Sequence, residues 1–319
     1  MATKAILPMA SRMSINNEIT NLLGDICFKL GRLEKTKQGN LDLEIITSNV
    51  IDALFLEKIE VSKSIERAMK KDENISSSPF ISNYFELNKK LNRINPYEVD
   101  FFNTFKELMG EEVLIRTEKT IEGISYPIPT PGKINSVMKS IFSYLKKTKN
   151  KVHPIIASAT VYFSILTVLP LQKYNHLLAI SYAKAILIAY NKTFCSIKFE
   201  KVLITNKITF AESISNSISE LDQKYFAEEY LNLINLSLLN LMKGKIKSNK
   251  HYSNFIDKLL VVMEDEIYYS TNELTSRLGL KSRLAVIQNY IKPGIEAGKI
   301  IPLNPLSPRD RNQKYKKGN

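Results

Sequence analysis

The sequence of 319 residues contains only two cysteines, Cys27 and Cys195. Two are too few for a disulfide framework or for a cysteine metal cluster, and we expect two buried or idle thiols in a reducing compartment. The N-terminal segment MATKAILPMASR has an apolar run shorter than the core of a signal peptide, and a proline interrupts it. We therefore place the protein in the cytoplasm.

Glycine and proline are also scarce, at 11 and 12 residues, which excludes a fibrous chain and a disordered, low-complexity chain. The sequence offers no Gly-rich phosphate loop, no zinc-ligand spacing and no Ser-His-Asp arrangement. Lysine and arginine together number 45 and aspartate and glutamate 32, so the net charge is +13. This balance points to an acidic partner such as nucleic acid, although basic cytoplasmic proteins without such a partner are common.

Apolar runs long enough to span a membrane are absent as well. In the most apolar stretch, Val152–Tyr190, residues 153–168 are apolar nearly all round, and Leu177–Tyr190 contains one charged residue, Lys184. Each run falls short of the roughly 20 residues that a membrane span needs. Because a helix that is apolar on every side must otherwise be a central core helix, we predict two core helices joined by a short polar loop.

That loop, LPLQKYNHLLAI from Leu169 to Ile180, resembles the signature H-P-F-x-(D/E)-G-N-G-R-x-x-R of the Fic family. The proline and the asparagine of the signature are kept as Pro170 and Asn175. The positions of the catalytic histidine, the acid, the two glycines and the two arginines hold other residue types, which are, in that order, Leu169, Lys173, Tyr174, His176, Leu177 and Ile180.

Further segments resemble the same family in the same order, over about residues 40 to 240. SNVIDA resembles its inhibitory helix, with Ser48 at the first motif position and Asp52 in place of the glutamate. Arg116 and Thr117, an alternating segment and several prolines resemble the flap, which in the family holds a target protein through main-chain hydrogen bonds. The expected flap residues are Thr120, Ile121, Gly123, Ile124, Ser125 and Tyr126.

The C-terminal part of the chain predicts a separate small unit. The polar, lysine-rich segment Met242–Ser253 predicts a linker. Beyond it lie the patterns of a helix, a short strand, a helix opened by a capping box of Ser270 and Glu273, a second helix and two wing strands. This order resembles the winged helix-turn-helix that ends many Fic proteins. The expected DNA-contacting residues are Lys281, Arg283, Gln288, Asn289, Arg309 and Arg311.

These patterns together predict a mainly α-helical protein. We expect a Fic-like helical core with a small β-hairpin flap, followed by a small winged-helix domain. The expected domains are N-terminal helices with the inhibitory-helix-like segment at 1–100, the Fic-like core at 101–241, and a linker with the winged helix-turn-helix at 242–319.

The resemblance implies a protein AMP-transferase, a nucleotidyltransferase that uses ATP and magnesium to modify protein hydroxyls. Leu169 cannot accept a proton as a general base, and Lys173 places a positive charge where the family binds magnesium. Leu177 and Ile180 cannot hold phosphates. We therefore interpret the chain as a pseudoenzyme with a binding or regulatory role, with no catalytic residue, metal or cofactor, and with a protein partner at the flap.

The sequence is compatible with other functions. In the first alternative, the chain is a DNA-binding transcriptional regulator that uses the Fic fold as a scaffold for dimerisation. In the second, the C-terminal unit does not bind DNA and only packs or dimerises. A third alternative is a working nucleotidyltransferase with displaced residues, in which His176 is the base or Lys173 holds a phosphate without magnesium.

Overall fold

The structure is a computed structural model that describes residues 13–34, 42–265, 267–296, 299–304, 310 and 313–318. For residues 243–254 and Glu296 it describes the backbone alone. The chain divides into two compact units, Met1–Leu241 and Met242–Asn319. Among the described residues of the first unit, no further division separates the helices before residue 100 from those that follow.

The first unit consists of helices in its described part. In chain order they are α1 (Asn17–Glu34), α2 (Leu43–Leu56), α3 (Lys63–Lys71), α4 (Pro79–Lys90), α5 (Phe101–Met109), α6 (Ile134–Thr148), α7 (Pro154–Val168), α8 (Asn175–Tyr190), α9 (Phe199–Thr205), α10 (Lys207–Ser219) and the start of α11 (Lys224–Val262). Short 3-10 turns lie at Leu91–Arg93, Pro131–Lys133 and Lys192–Ser196. None of the described helices is both long enough and apolar enough to cross a membrane.

Helices α7 and α8 are buried in the centre of the first unit. Every residue of α7 except Pro154 is buried, and α8 is buried continuously from Leu177 to Ile188. The side chain of His153 caps α7, and Pro154 occupies the first helical position, where a missing N–H leaves no hydrogen bond unmade. The prediction of two core helices is therefore confirmed.

A buried ion pair joins α8 to α9 in the described part of the core. Nζ of Lys184 on α8 lies 2.5 Å from Oε1 of Glu200 on α9, and both side chains are buried. Burying a charge is costly unless it is paired, so each of these two residues depends on the other.

The segment predicted as a linker, Met242–Ser253, is helical throughout its backbone and is part of α11. Its lysine, serine and asparagine residues indicate exposure to solvent, and polar, exposed segments between helices are commonly loops. Lysine is a good helix former, however, and the segment contains no proline that would end a helix.

The predicted β-hairpin at Thr117–Tyr126 is also wrong. This segment contains no strand; it contains a turn, in which the N–H of Ile124 donates to the carbonyl of Ile121 with Gly123 at a φ of 80°. The alternating pattern predicted a pleated strand, but the prolines that follow it have no N–H to donate to a sheet.

The second unit contains short helices and a small sheet after the end of α11. These elements are β1 (Tyr269–Ser270), α12 (Thr271–Arg277), α13 (Arg283–Val286), α14 (Lys292–Glu296), β2 (Ile300–Pro302) and β3 (Lys314–Lys317). The sheet is antiparallel in the order β1-β3-β2, with Tyr269 opposite Tyr315 and Ile301 opposite Lys316. The predicted capping box of Ser270 and Glu273 is formed.

A π turn at Ile287–Ile291 connects α13 to α14. Pro293 lies two residues after this turn, and it has no N–H to donate to the carbonyl of Asn289 as a regular α-helix would require, which accounts for the local widening. Gly294 lies against β2: a Cβ at this position would lie 2.6 Å from Cγ1 of Ile300. The glycine therefore permits the close packing of α14 on the sheet.

Candidate functional site

The loop between α7 and α8 has two residues in the left-handed region of φ. Leu169 ends α7 at a φ of 49°, and Tyr174 precedes α8 at a φ of 69°. Tyr174 lies at a position where the family signature has glycine, the residue for which this conformation costs least. The ring of Tyr174 packs on Phe80 of α4 with a centroid distance of 4.3 Å.

The asparagine of the loop closes its turn. Oδ1 of Asn175 accepts from the N–H of Leu171 and Nδ2 donates to the carbonyl of Leu171, both at 2.9 Å. On the other side the loop pairs with the chain before the flap: the N–H of Arg116 donates to the carbonyl of Pro170, and that of Gln172 to the carbonyl of Leu114, both at 3.0 Å. The two signature residues that the sequence retains thus lie in the hydrogen bonds that shape the loop.

Arg116 joins the loop to the flap through its side chain. Its guanidinium donates to the carbonyls of Leu169, at 2.9 Å, and Val168, at 3.5 Å, which end α7. It also donates to the carbonyl of Glu118 and, at 2.6 Å, to that of Pro129. The residue is only 1% exposed, and burial lowers the pKa of the guanidinium. The negative end of the α7 dipole favours the cation at this position.

The flap is therefore a loop whose ends, Glu118 and Pro129, are both held by one buried side chain. Between these ends the expected binding residues Thr120, Gly123 and Ser125 are exposed, and Ile121, Ile124 and Tyr126 are half-buried. Burial raises the pKa of Tyr126 to about 12.

The N-terminus of α8 already holds a carboxylate. Oε1 of Glu57, the residue that caps the C-terminus of α2, accepts the N–H of His176 at 2.8 Å. The first N–H groups of a helix have no partner within the helix and attract anions, including phosphates. Tyr174 at the N-cap supplies no side-chain cap, so Glu57 takes this role. No local sequence pattern points to Glu57, since a glutamate at a helix end is ordinary.

His176 is poorly placed to act as a base. Burial lowers the pKa of its imidazole, and the negative charge of Glu57 opposes this shift in part. Its Nδ1 is buried and has no hydrogen-bond partner.

The remaining signature positions are divided between core and solvent. Leu177 and Ile180 are 0% and 1% exposed and belong to the core, whereas Lys173 is exposed and Leu169 is half-buried. Magnesium requires oxygen ligands, and no group of three potential ligands of the His, Cys, Asp and Glu types occurs anywhere in the described part of the chain. The loop from Leu169 to Tyr174 itself contains no aspartate or glutamate, and Lys173 lies at the position of the acid in the signature.

The segment that resembles the inhibitory helix lies on α2. Burial raises the pKa of Asp52, and Lys201, Lys198 and a hydrogen bond from Ser48 oppose the shift. The charges that act on Asp52 thus belong to the start of α9 and the residue before it. The acidic side chain that contacts the N-terminus of α8 is that of Glu57, which caps α2 five residues further along the chain.

Four of the expected DNA-contacting residues lie on one short stretch of the second unit. Lys281 precedes α13, Arg283 begins it, and Gln288 and Asn289 lie in the π turn; all four are exposed. Leu284 is also exposed, at 63%. The predicted residues Arg309 and Arg311 lie outside the described residues.

Comparisons with known proteins agree with this architecture. The crystal structure of a Fic family protein from Desulfovibrio desulfuricans G20 superposes with a TM-score of 0.62, over 96% of this chain and 97% of that chain, at 18% sequence identity. The chain has the fold of a Fic family protein. Residues 254–317 match the family model described as "Filamentation induced by cAMP protein Fic-like, C-terminal domain". A comparison with curated protein sequences gives no match.

The Fic fold therefore extends over both units. The family model covers the described elements from the end of α11 to β3, and the structural match covers the helical unit before it. The expectation of a mainly helical Fic fold is confirmed, apart from the strands of the flap.

Proposed function

We propose that this protein is a catalytically silent Fic-fold protein with a binding or regulatory role. One observation carries this proposal: the carboxylate of Glu57 accepts the N–H of His176 at the helix end where the fold would receive a phosphate. A bound carboxylate and an incoming phosphate are both anions, so they compete for the same donor and repel each other.

The side chains around this donor support the same conclusion. Leu169 has no group that accepts a proton, and Lys173 cannot bind a metal cation. Leu177 and Ile180 lie in the core and cannot be exchanged with solvent-facing phosphate ligands without unpacking it.

Incubation of the purified chain with magnesium and labelled nucleotides tests the proposal. We expect no transfer of label to the protein itself or to proteins of a cell extract. Transfer that is abolished by substitutions in residues 173–180 would show a working nucleotidyltransferase and would refute the proposal.

Variants at Glu57 test whether the carboxylate blocks the helix end. Glu57→Ala frees the N–H of His176, whereas Glu57→Gln keeps an oxygen acceptor without the charge. We expect ATP binding by calorimetry to be undetectable in the wild-type protein and to be largest in Glu57→Ala, with no transfer of label in either. Equal ATP binding by the three proteins would show that Glu57 does not block this position.

The flap is the surface that we propose for a protein partner. Its exposed backbone between Glu118 and Pro129 is held at both ends by Arg116, so main-chain groups are presented without a competing sheet partner. A second copy of the chain is a further candidate partner. Crosslinking from Ser125→Cys in a Cys27→Ser, Cys195→Ser background tests this surface: capture of a defined protein from an extract supports it, and an identical capture pattern from a cysteine at exposed Lys139 argues against it.

A second candidate function is DNA binding by the second unit, which we propose to be a winged helix-turn-helix. The supporting observation is a run of exposed polar side chains on α13 and on the residues directly before and after it, which are Lys281, Arg283, Gln288 and Asn289. Lys281→Ala with Arg283→Ala should weaken binding to duplex DNA and reduce its dependence on salt.

Lys139→Ala with Lys147→Ala, both exposed on α6, changes the net charge equally and serves as the matched control. An equal loss of affinity in both double variants would indicate a general charge effect, and no loss in either would exclude this surface from DNA binding.

A further inference from the structure

A second cluster of reactive side chains lies at the opposite end of the α7–α8 hairpin from the loop. Sγ of Cys27 on α1 is 3.8 Å from Nε2 of His153, which begins α7, and 3.9 Å from the hydroxyl of Tyr190, which ends α8. The rings of His153 and Tyr190 contact each other edge to face at 5.1 Å. Since α7 has 15 residues, this cluster lies roughly 22 Å from Leu169 along the helix.

The hydrogen bonds of His153 decide what its ring offers to the sulfur. Nδ1 accepts the N–H of Ile155 at 3.3 Å, so in the neutral ring the proton is on Nε2, the nitrogen that faces Sγ. Burial lowers the pKa of His153, which keeps the ring neutral at pH 7. The tyrosine hydroxyl can donate as well. Two donors thus converge on one sulfur that is exposed to solvent, so a reagent can reach the sulfur while both groups contact it.

A cavity of about 440 Å³ adjoins this cluster. His153 belongs to both, and Leu23, one helical turn before Cys27 on α1, also lines the cavity. The walls are largely apolar, with Ile15 and Ile156 among them, and Lys151 contributes a cation at the edge. The volume is in the range of sites that take small molecules. An apolar body with an anionic group matches these walls in polarity and charge.

We propose that Cys27 is a modification site that undergoes thiol–disulfide exchange with a small disulfide bearing a carboxylate. The thiolate of Cys27 attacks one sulfur of the disulfide, the S–S bond of the reagent breaks, and a mixed disulfide forms at Cys27. The other half leaves as a thiolate that takes a proton from water. The sulfur of Cys27 is oxidised and the leaving sulfur is reduced, so no further oxidant takes part.

Cys195 provides an internal comparison. It is half-buried between α8 and α9, and burial raises the pKa of its thiol, although Lys184 and Lys192 oppose the shift. A buried thiol with a raised pKa reacts slowly. The two single-cysteine variants, Cys195→Ser and Cys27→Ser, therefore report on the two thiols separately.

The test measures the rate of reaction with two aromatic disulfides at pH 7. The first is 5,5′-dithiobis(2-nitrobenzoate), which carries carboxylates, and the second is the uncharged 4,4′-dithiodipyridine. We expect Cys27 in the Cys195→Ser protein to react with the first at least ~10-fold faster than an unstructured cysteine peptide. Cys195 in the Cys27→Ser protein should react slowly until the protein is unfolded.

Variants of the neighbours identify the cause of the reactivity. In the Cys195→Ser protein, Tyr190→Phe keeps the ring and removes one donor, so both reagents should react ~3-fold more slowly. Lys151→Gln should slow the carboxylate reagent by a similar factor and leave the uncharged one unchanged. Circular dichroism checks that these variants fold.

Two results would overturn the inference. The first is a rate at Cys27 equal to that of the free peptide with both reagents. The second is a fast rate that Tyr190→Phe and Lys151→Gln leave unchanged, because the neighbours would then have no part in it.

Discussion

Arg116 connects the two parts of the candidate site, and its replacement gives the sharpest test of how they are held. In Arg116→Met the apolar stem is kept and the four hydrogen bonds to carbonyl oxygens are lost. The carbonyls of Glu118 and Pro129 lie in the flap and can find water. Those of Val168 and Leu169 end a buried helix and are harder to solvate.

The expected loss of stability depends on which of the four carbonyls water can reach. A hydrogen bond from a charged donor contributes about 1.5–3 kcal/mol, so the two bonds at the end of α7 account for most of the loss. We expect Arg116→Met to lower the free energy of unfolding by about 3–4 kcal/mol, a large share of the 5–15 kcal/mol that is typical of a folded domain. Arg116→Lys keeps the charge without the planar fork and should recover about half of the loss.

Urea unfolding followed by circular dichroism measures the change, with the two units treated as separate transitions. Trypsin cleavage at Lys119, which lies between the two held ends of the flap, provides a local measure and should be faster in Arg116→Met. If Arg116→Met stays within about 1 kcal/mol of the wild-type protein and cleavage at Lys119 is unchanged, Arg116 does not hold the flap and the end of α7 together.

Two other buried groups give further predictions. Lys184→Met leaves the carboxylate of Glu200 buried without its partner and should cost about 3–5 kcal/mol in urea unfolding, whereas the double variant with Glu200→Met should recover most of this loss; additive losses would contradict it. Burial lowers the pKa of His176 below its unfolded value of 6.5, against the opposing charge of Glu57, so its contribution to stability is complete above pH 6.5 and is lost as the pH falls. Between pH 7 and pH 5 the wild-type protein should therefore lose more stability than His176→Gln, and parallel curves would show that His176 does not titrate abnormally.

Periodicity in the sequence was enough to predict the helical core. The apolar residues of α7 and α8 fill every face of both helices, and only burial in a core satisfies such a pattern in helices of this length. The capping box of Ser270 and Glu273 could also be predicted from the sequence, because both of its hydrogen bonds join residues that are three positions apart.

The interactions that sequence reasoning missed are long-range. Glu57 and His176 are 119 residues apart, and Arg116 is separated from Leu169 by 53 residues. Neither pair has a local pattern that would bring its members together. The flap was predicted as a hairpin because an alternating pattern is the same for a strand and for an extended loop held by one side chain.

Whether the loop could carry the residues of the family signature depends on where those positions lie in the fold. Lys173 is exposed and Leu169 half-buried, so an acid or a histidine at these positions meets little steric resistance. Ile180 is 1% exposed, and an arginine there would place an unpaired charge in the core. We expect Ile180→Arg to cost at least about 3 kcal/mol in urea unfolding and Lys173→Asp less than about 1 kcal/mol.

If Ile180→Arg is tolerated as well as Lys173→Asp, the helix end can still open to solvent, and the proposed lack of catalysis would then depend on side-chain chemistry alone. If Ile180→Arg is not tolerated, the core is packed around the residues that now lie at the signature positions. Restoring the signature would then require several simultaneous changes, because the arginine position now contributes to stability and a single substitution there unfolds the helix on which the site would be built.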